Sequence, residues 1–160
     1  MTERSVTHTT FTLERTYNAS PKRVFSAFAD PAIKATWFGG PPEWDHQGGE
    51  FDFRVGGRET DIGGPKGGPV SSFDARYYDI VPDERIIFAY DMLADDKRIS
   101  VSLATIELEP AGAGTRLTFT EQGAFLEGYD DPSERERGTS DLLDALGAAL
   151  EREPAAAHRS

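Results

Sequence analysis

The chain has 160 residues, a length typical of one domain with its own core. Its 17 Lys and Arg stand against 28 Asp and Glu, which gives a formal net charge of −11. Such an acidic surface repels phosphate backbones and anionic lipids, so we predict no binding to nucleic acid or membranes. The absence of cysteine excludes disulfides and thiolate metal sites.

The three histidines are scattered along the chain, and their spacing does not suggest a metal site. We therefore predict neither a metal nor a cofactor. Residues 1–8 contain no apolar run of the kind that signal peptides have. No stretch approaches the ~20 apolar residues that span a bilayer. We expect a cytoplasmic protein.

Two helix-start signals occur early in the chain. Ser20 before Pro21 is typical of an N-cap with proline in the first turn of a helix. Asp30 before Pro31 repeats the signal. The second helix is expected to continue until the Gly-Gly-Pro-Pro run at 39–42. The sequence thus predicts two short helices in succession.

Six segments alternate apolar and polar side chains with a period of two, the pattern of a half-buried strand. These predicted strands cover residues 10–18, 50–55, 70–81, 85–93, 98–109 and 115–124. Short turns rich in Pro, Gly and Asp join the last four, which indicates an antiparallel meander. The glycine-rich residues 58–69 are predicted to form a loop.

Residues 132–152 predict a long C-terminal helix. Asp131 before the proline and a capping box of Ser133 with Glu136 mark its start. One helix face carries an apolar stripe of Leu142, Leu143, Leu146, Ala149 and Leu150. The tail 154–160 is small and polar, and we expect it to be disordered.

A sheet with one apolar face needs a cover, and the C-terminal helix is the only long amphipathic segment that can supply it. The sequence therefore predicts an α+β protein with a helix-grip fold. A curved antiparallel β-sheet, two short helices and one long C-terminal helix would form a single domain over 1–160, with its core at about 10–152. This arrangement leaves space between the sheet and the helix.

Five short motifs occur in order along the chain. They read ASPKRVFSAF at 19–28, DPAIKATWF at 30–38, GGEFDF at 48–53, IVPDERIIF at 80–88 and GTRLTFT at 114–120. Together they resemble the activator of Hsp90 ATPase homologue-like family of the SRPBCC superfamily, which includes Bet v 1-like, START-like and polyketide cyclase proteins. The resemblance implies a helix-grip fold with a hydrophobic pocket.

The chain departs from this family at the start of the long helix. Members commonly have Gly-Trp there, whereas Gly138 is followed by Thr139 in this sequence. The resemblance therefore implies that one bulky wall of the pocket is missing.

The predicted pocket is lined by aromatic and apolar side chains of the inward face, with one carboxylate among them. The candidate ligand-binding residues are Trp37, Phe38, Trp44, Phe53, Tyr77, Phe88, Tyr90, Phe119, Glu121 and Leu143. The alternative for each aromatic side chain is that it simply fills the core. His46 either lies at the pocket mouth or is an exposed loop residue.

Strand parity places Glu121 beside Phe119 on the inward face, where an ionised carboxylate needs a partner. Arg54, Arg76 or Tyr90 are candidates for that role. In the pocket, Glu121 could act as a general base or orient a ligand hydroxyl. The alternative is a strand-end residue whose side chain reaches water.

Three functions follow from these expectations. The first is binding of a small lipophilic molecule in the cavity between the sheet and the C-terminal helix. The second is a polyketide cyclase or aromatase-like enzyme that uses Glu121 or a tyrosine for proton transfer in the same cavity. The third is protein interaction, either homodimerisation through a sheet edge or contact with a chaperone. No residue pattern identifies a catalytic site, so the enzyme question stays open.

Overall fold

The computed structural model describes residues 4–39 and 43–152. That part of the chain holds seven strands and three helices in the predicted α+β helix-grip arrangement. The elements are β1 (Val6–Tyr17), α1 (Pro21–Ala29), α2 (Pro31–Lys34), β2 (Asp45–His46), β3 (Arg58–Gly64), β4 (Ser71–Val81), β5 (Arg85–Ala94), β6 (Lys97–Ala111), β7 (Gly114–Leu126) and α3 (Pro132–Arg152). The predicted disordered tail, 154–160, lies outside the described residues.

The strands form one antiparallel sheet in the order β1-β7-β6-β5-β4-β3-β2. Pairing of β1 with β7 brings the first strand beside the last, with Thr12 opposite Thr120. The register shifts between Tyr77 and Asp79 and again at Met92. Such irregularities bend a sheet and increase its twist. The predicted four-strand meander is confirmed, with boundaries within two residues.

Helix α3 packs across the inner face of the sheet. Leu143, Leu146 and Leu150 of its predicted apolar stripe are buried. The Tyr17 hydroxyl donates a 2.7 Å hydrogen bond to the carbonyl oxygen of Leu143. A Cβ at Gly147 would lie 3.1 Å from the Tyr17 ring, so this glycine permits close contact between helix and strand.

Asp131, and not the predicted capping box, caps α3. Its carboxylate accepts hydrogen bonds from the Ser133 backbone N–H at 2.9 Å and the Ser133 hydroxyl at 2.8 Å. Ser133 lies inside the first turn because Pro132 already begins the helix. The capping-box prediction was therefore wrong, although the predicted helix bounds are correct.

The two short helices pack against each other and close one side of the core. Ser20 caps α1 as predicted, since its hydroxyl accepts the Arg23 N–H at 3.2 Å. Helix α2 ends at Lys34, earlier than predicted. The Thr36 N–H bonds the carbonyl of Ile33, a three-residue spacing that tightens the chain into turns. Part of the predicted stop, 39–42, lies outside the described residues.

The sequence interpretation was wrong over residues 50–69. The predicted strand at 50–55 is irregular and forms only an isolated bridge between Phe51 and Glu59, whereas β3 lies within the predicted loop. Gly56 has φ of 84°, and the chain turns there, which stops a strand from continuing. A Cβ at Gly64 would lie 2.2 Å from the Pro69 carbonyl oxygen. The glycines of this segment allow two backbone segments to lie close together. The loop prediction was wrong because it interpreted the same glycines as a sign of chain flexibility.

Candidate functional site

A cavity of about 740 Å³ lies between the inner face of the sheet and helix α3. This volume is within the range of roughly 300–1,000 Å³ found for small-molecule sites. Strands β4, β5 and β7 contribute its floor, and α2 and α3 contribute its sides. The fold thus places a partly open cavity between sheet and helix, where the sequence predicts a space.

All of the predicted site residues line this cavity. They are Trp37, Phe38, Trp44, Phe53, Tyr77, Phe88, Tyr90, Phe119, Glu121 and Leu143. The members on β4, β5 and β7 meet because alternate residues of each strand point to the same face, and paired strands place these positions side by side. The other members reach the cavity from α3 and from segments between the named elements. Their contact with a ligand stays a prediction.

Phe73 sits at the centre of the aromatic wall and was missed from the sequence. Its ring centroid lies 5.0 Å from that of Tyr90, 5.4 Å from that of Phe38 and 6.5 Å from that of Phe88. Tilted and edge-on contacts at such distances are favourable for aromatic rings. Strand parity could have found Phe73, because it shares a face of β4 with Tyr77.

Arg135 of α3 is fixed over the cavity by several hydrogen bonds. Its guanidinium donates to the Tyr90 hydroxyl at 3.1 Å, to the Ser100 hydroxyl at 2.8 Å and to the Asp130 carboxylate at 2.8 Å. It also lies over the Phe125 ring, 4.9 Å from the centroid. The sequence analysis missed this residue, although it lies one helical turn before Thr139 on the apolar face.

Glu121 is buried beside this arginine, with 2% of its surface exposed. The Tyr90 hydroxyl donates to Oε2 of Glu121 at 2.8 Å, and Arg135 Nη1 lies 3.9 Å from the same oxygen. Oε1 of Glu121 has no hydrogen-bond partner within the described part of the chain. This oxygen is itself fully buried, and the buried Ser102 hydroxyl lies near the carboxylate.

Burial raises the pKa of Glu121, and the Tyr90 hydrogen bond and the Arg135 charge oppose that rise. The nearby Ser102 hydroxyl also lowers this pKa as a hydrogen-bond donor to the carboxylate. Of the predicted partners, only Tyr90 is correct. Arg54 pairs with Asp52 and Arg76 is exposed. The strand-end alternative for Glu121 is excluded, because its side chain does not reach water.

A second buried cluster lies between α2 and strands β3 and β4. Lys34 Nζ donates to Oε1 of Glu59 at 2.6 Å, and the Tyr77 hydroxyl donates to the same oxygen. The ammonium also lies 4.5 Å from the ring centroid of Phe38. Burial lowers the pKa of Lys34, while the Glu59 charge opposes that shift. Lys34 lines the cavity, and the sequence carried no signal for it.

His46 of β2 and Asp61 of β3 also line the cavity. His46 is exposed, as one interpretation expected, but it lies in a strand and not in a loop. Asp61 is half-buried, and this burial raises its pKa against the opposing charge of His46. Within residues 4–39 and 43–152, no cluster of three His, Asp or Glu side chains could hold a metal ion. The described helices include none with the length and apolarity that crossing a membrane requires.

Comparison with known proteins identifies the family. The sequence profile of AHSA1, described as Activator of Hsp90 ATPase homolog 1-like protein, matches residues 18–151. The chain belongs to the AHSA1 family. This confirms the resemblance seen in the five motifs and fits the SRPBCC superfamily. No curated protein matches the AHSA1 chain.

Several solved structures resemble this AHSA1 chain. A protein from Rhizobium loti is 51% identical, with 91% of this chain and 99% of that chain covered and a TM-score of 0.86. A putative uncharacterized protein from Rhizobium leguminosarum is 43% identical, with 95% and 100% covered and a TM-score of 0.90. A protein from Chromobacterium violaceum is 31% identical, with 89% and 96% covered and a TM-score of 0.74.

Gly138 and Thr139 lie on α3 where the resemblance places the family's Gly-Trp pattern, and both line the cavity. Gly138 is exposed, and a Cβ there would meet nothing within 4 Å. Thr139, at the position of the tryptophan, is buried. The missing wall therefore stays a prediction.

Acidic side chains outnumber cationic ones around the cavity. The carboxylates are Asp61, Glu121, Asp130, Glu134 and Asp141, and the cationic side chains are Lys34 and Arg135. Both cations are already paired, Lys34 with Glu59 and Arg135 with Asp130. This excess of negative charge disfavours the binding of anionic ligands.

Proposed function

We propose that the protein binds a small, mostly apolar molecule in the cavity between the sheet and α3. The observation that carries the proposal is the division of the cavity into an aromatic wall and separate polar clusters. The wall is built from Phe38, Phe73, Phe88 and Phe119, and polar groups are held beside α2 and the start of α3. Sites for small molecules usually combine an apolar lining with a few placed polar groups.

The size of the cavity supports binding over a purely structural role. Protein interiors are close-packed, and few voids exceed a water molecule. An apolar void loses packing contacts and so costs stability. A partly open cavity of about 740 Å³ with an aromatic wall therefore favours an occupant.

A cavity-filling substitution tests the proposal. Gly138 is an exposed α3 residue that lines the cavity, so Gly138→Trp adds a large side chain at the cavity wall, and replacing glycine also favours the helix. Titration calorimetry with naphthalene as the apolar probe should show binding to the unchanged protein. We expect affinity at least about tenfold lower in Gly138→Trp, since part of the buried probe surface is lost.

Arg137→Trp is the matched control, because Arg137 is the exposed neighbour and does not line the cavity. It should bind naphthalene as the unchanged protein does. Equal affinity in the two tryptophan variants would contradict binding in the cavity, and so would the absence of binding to any protein.

A second candidate is an enzyme of the polyketide cyclase or aromatase type. Glu121 favours it, because this buried carboxylate lines the cavity, and such a group can accept a proton from a bound substrate. Incubation with an aromatisable poly-β-ketone, followed by mass spectrometry, tests this candidate. Product formation that is lost in Glu121→Gln would support the enzyme, whereas binding without turnover would count against it.

The location and assembly predicted from the sequence are part of this proposal. A cytoplasmic ligand-binding protein fits the acidic composition, with 28 Asp and Glu. Homodimerisation through a sheet edge would involve β1 or β2, which are the outermost strands. Cell fractionation and sedimentation velocity measure these two properties, and a membrane-bound fraction or a strict monomer would contradict them.

A further inference from the structure

We infer that the ligand of the cavity carries a positively charged amino group, which pairs with the carboxylate of Asp61 beside the aromatic wall. This inference rests on the ligand-binding function proposed above. It narrows the chemical class of the ligand to an amine on an apolar body. An aliphatic amine of this kind is charged near neutral pH, as a lysine side chain is.

The carboxylate of Asp61 is within reach of a ligand. Asp61 lies on β3, lines the cavity and is only half-buried, so part of its surface is open. Gly39 also lines the cavity, and its φ of 120° favours glycine. A Cβ at Gly39 would lie 3.6 Å from Oδ2 of Asp61. Because glycine lacks that atom, Gly39 leaves the side of the carboxylate that faces it uncovered.

Asp61 forms no ion pair within residues 4–39 and 43–152. Burial raises its pKa, and the charges of His46 and Lys34 oppose that rise from beyond ion-pair distance. Lys34 instead donates to Glu59 at 2.6 Å. A half-buried carboxylate without a counter-ion has lost part of its hydration and gained no partner. A cationic group on the ligand would supply that partner.

The aromatic wall beside Asp61 favours the same kind of group. Asp61 lies opposite Phe73 in the register of β3 with β4, and paired residues of neighbouring strands share a face of the sheet. The ring centroid of Phe73 is 5.4 Å from that of Phe38. Faces of aromatic rings attract cations, and Lys34 Nζ already lies 4.5 Å from the Phe38 centroid. A ligand ammonium at Asp61 would therefore contact a carboxylate and an aromatic surface together.

The other charges of the cavity disfavour an anion and allow a cation. Carboxylates outnumber cationic side chains in the lining, and both Lys34 and Arg135 already have carboxylate partners. A ligand carboxylate would add a further negative charge without a free partner in the described lining. Lys34 would repel a ligand ammonium, but its close pairing with Glu59 offsets most of that repulsion.

General attraction to an acidic protein is the competing explanation for binding of a cation. The formal net charge of −11 draws cations toward the whole surface and needs no site. Such attraction depends on the total charge and is screened by salt. Pairing with Asp61 depends on one carboxylate. Removing single charges at different places therefore separates the two explanations.

Four probes with the same ring system measure the preference in the unchanged protein. They are naphthalene, naphthylmethanol, naphthylmethylammonium and naphthoate, compared by titration calorimetry near neutral pH at an ionic strength of about 0.15 M. We expect naphthylmethylammonium to bind about tenfold more tightly than naphthylmethanol, as a partly desolvated cation beside a carboxylate and an aromatic ring allows. Naphthoate should bind more weakly than naphthylmethanol.

Asp61→Asn locates the effect, because it keeps the shape of the side chain and removes its charge. Its affinity for naphthylmethanol should stay unchanged, while the preference for naphthylmethylammonium falls to about twofold or less. Asp96→Asn is the matched control, since Asp96 is exposed between β5 and β6 and does not line the cavity. It removes the same charge from the protein and should keep the full preference.

The outcomes distinguish this inference from the proposed function. If naphthalene binds and naphthylmethylammonium shows no gain over naphthylmethanol, or if naphthoate binds best, the inference is wrong and the cavity function stands. If Asp61→Asn keeps the preference, or if both variants lose it equally, the assignment to Asp61 is wrong. If no probe binds, both proposals fail. Asp61→Ser, with the same expected loss, replaces Asp61→Asn if that variant does not fold.

Discussion

Two buried carboxylates, Glu59 and Glu121, show how similar charge clusters can serve different purposes. Oε1 of Glu59 accepts hydrogen bonds from both Lys34 and Tyr77. Oε1 of Glu121 accepts none among the described residues, although Tyr90 holds its other oxygen. The first cluster joins α2 to β3 and β4, and the second joins β5, β7 and α3 beside the cavity. Both carboxylates are buried, so burial of a charge does not mark a functional group by itself.

Removing the cation from the Glu59 cluster should have the largest effect on stability. Lys34→Met leaves Glu59 buried and without its ion pair, and the two side chains are only 11% and 7% exposed. Breaking such a pair costs about 3–5 kcal/mol of unfolding free energy. Urea unfolding measures this loss.

The double variant Lys34→Met/Glu59→Gln is the control for that experiment. It removes both charges, so most of the lost stability should return. A loss below about 1 kcal/mol in Lys34→Met, relative to the several kcal/mol expected for a buried pair, would show that Glu59 reaches another partner or water.

The Glu121 cluster should respond to pH. Burial raises the pKa of folded Glu121 above its unfolded value, so its contribution to stability is complete below the unfolded pKa of about 4.3 and is lost as pH rises through the folded pKa. Relative to Glu121→Gln, the unchanged protein should therefore lose stability with rising pH. The change is about 1.4 kcal/mol for each unit by which the folded pKa exceeds the unfolded one.

Urea unfolding of both proteins between about pH 4 and pH 8 measures this difference across the ordinary carboxyl range. Tyr90 and Arg135 face the same carboxylate, and their shifted pKa values lie above this window. A stability difference that does not depend on pH would contradict the raised pKa of Glu121.

An exposed ion pair provides the smallest expected effect. Arg116 pairs with Glu109 across β6 and β7, and both side chains are about half exposed at 49% and 54%. Water screens such a pair, so Arg116→Gln should leave the unfolding midpoint nearly unchanged. If Arg116→Gln lost as much unfolding free energy as Lys34→Met, burial would not explain why the Lys34–Glu59 pair stabilises the fold more than a surface ion pair does.

Much of the fold could be predicted because local patterns and tertiary packing agree. In β5 and β7 the period of two places Tyr90 and Glu121 on one face, and the sheet brings them into contact as expected. The stripe of α3 likewise matches the face that is buried. These elements have strong periodicity and unambiguous ends.

The features that the sequence did not predict depend on contacts between residues that are far apart in the chain. Lys34 points inward because it donates a hydrogen bond to Glu59, and Arg135 does so because it donates one to Tyr90. No local sequence pattern indicates such a distant partner. Glu59 itself lies in β3, where glycines near Pro69 had suggested a loop. Close packing of backbone against Gly64 is invisible in the sequence, since flexible loops and tight strand contacts use the same residue.

Nuclear Overhauser effects between bound naphthalene and the protein test the central claim most directly, because they report which face of the sheet binds the ligand. The account predicts contacts from naphthalene protons to the rings of Phe73, Phe88 and Phe119 on the inner face. Contacts confined to Val101 and Leu103, which are exposed apolar residues on the opposite face of β6, would contradict it.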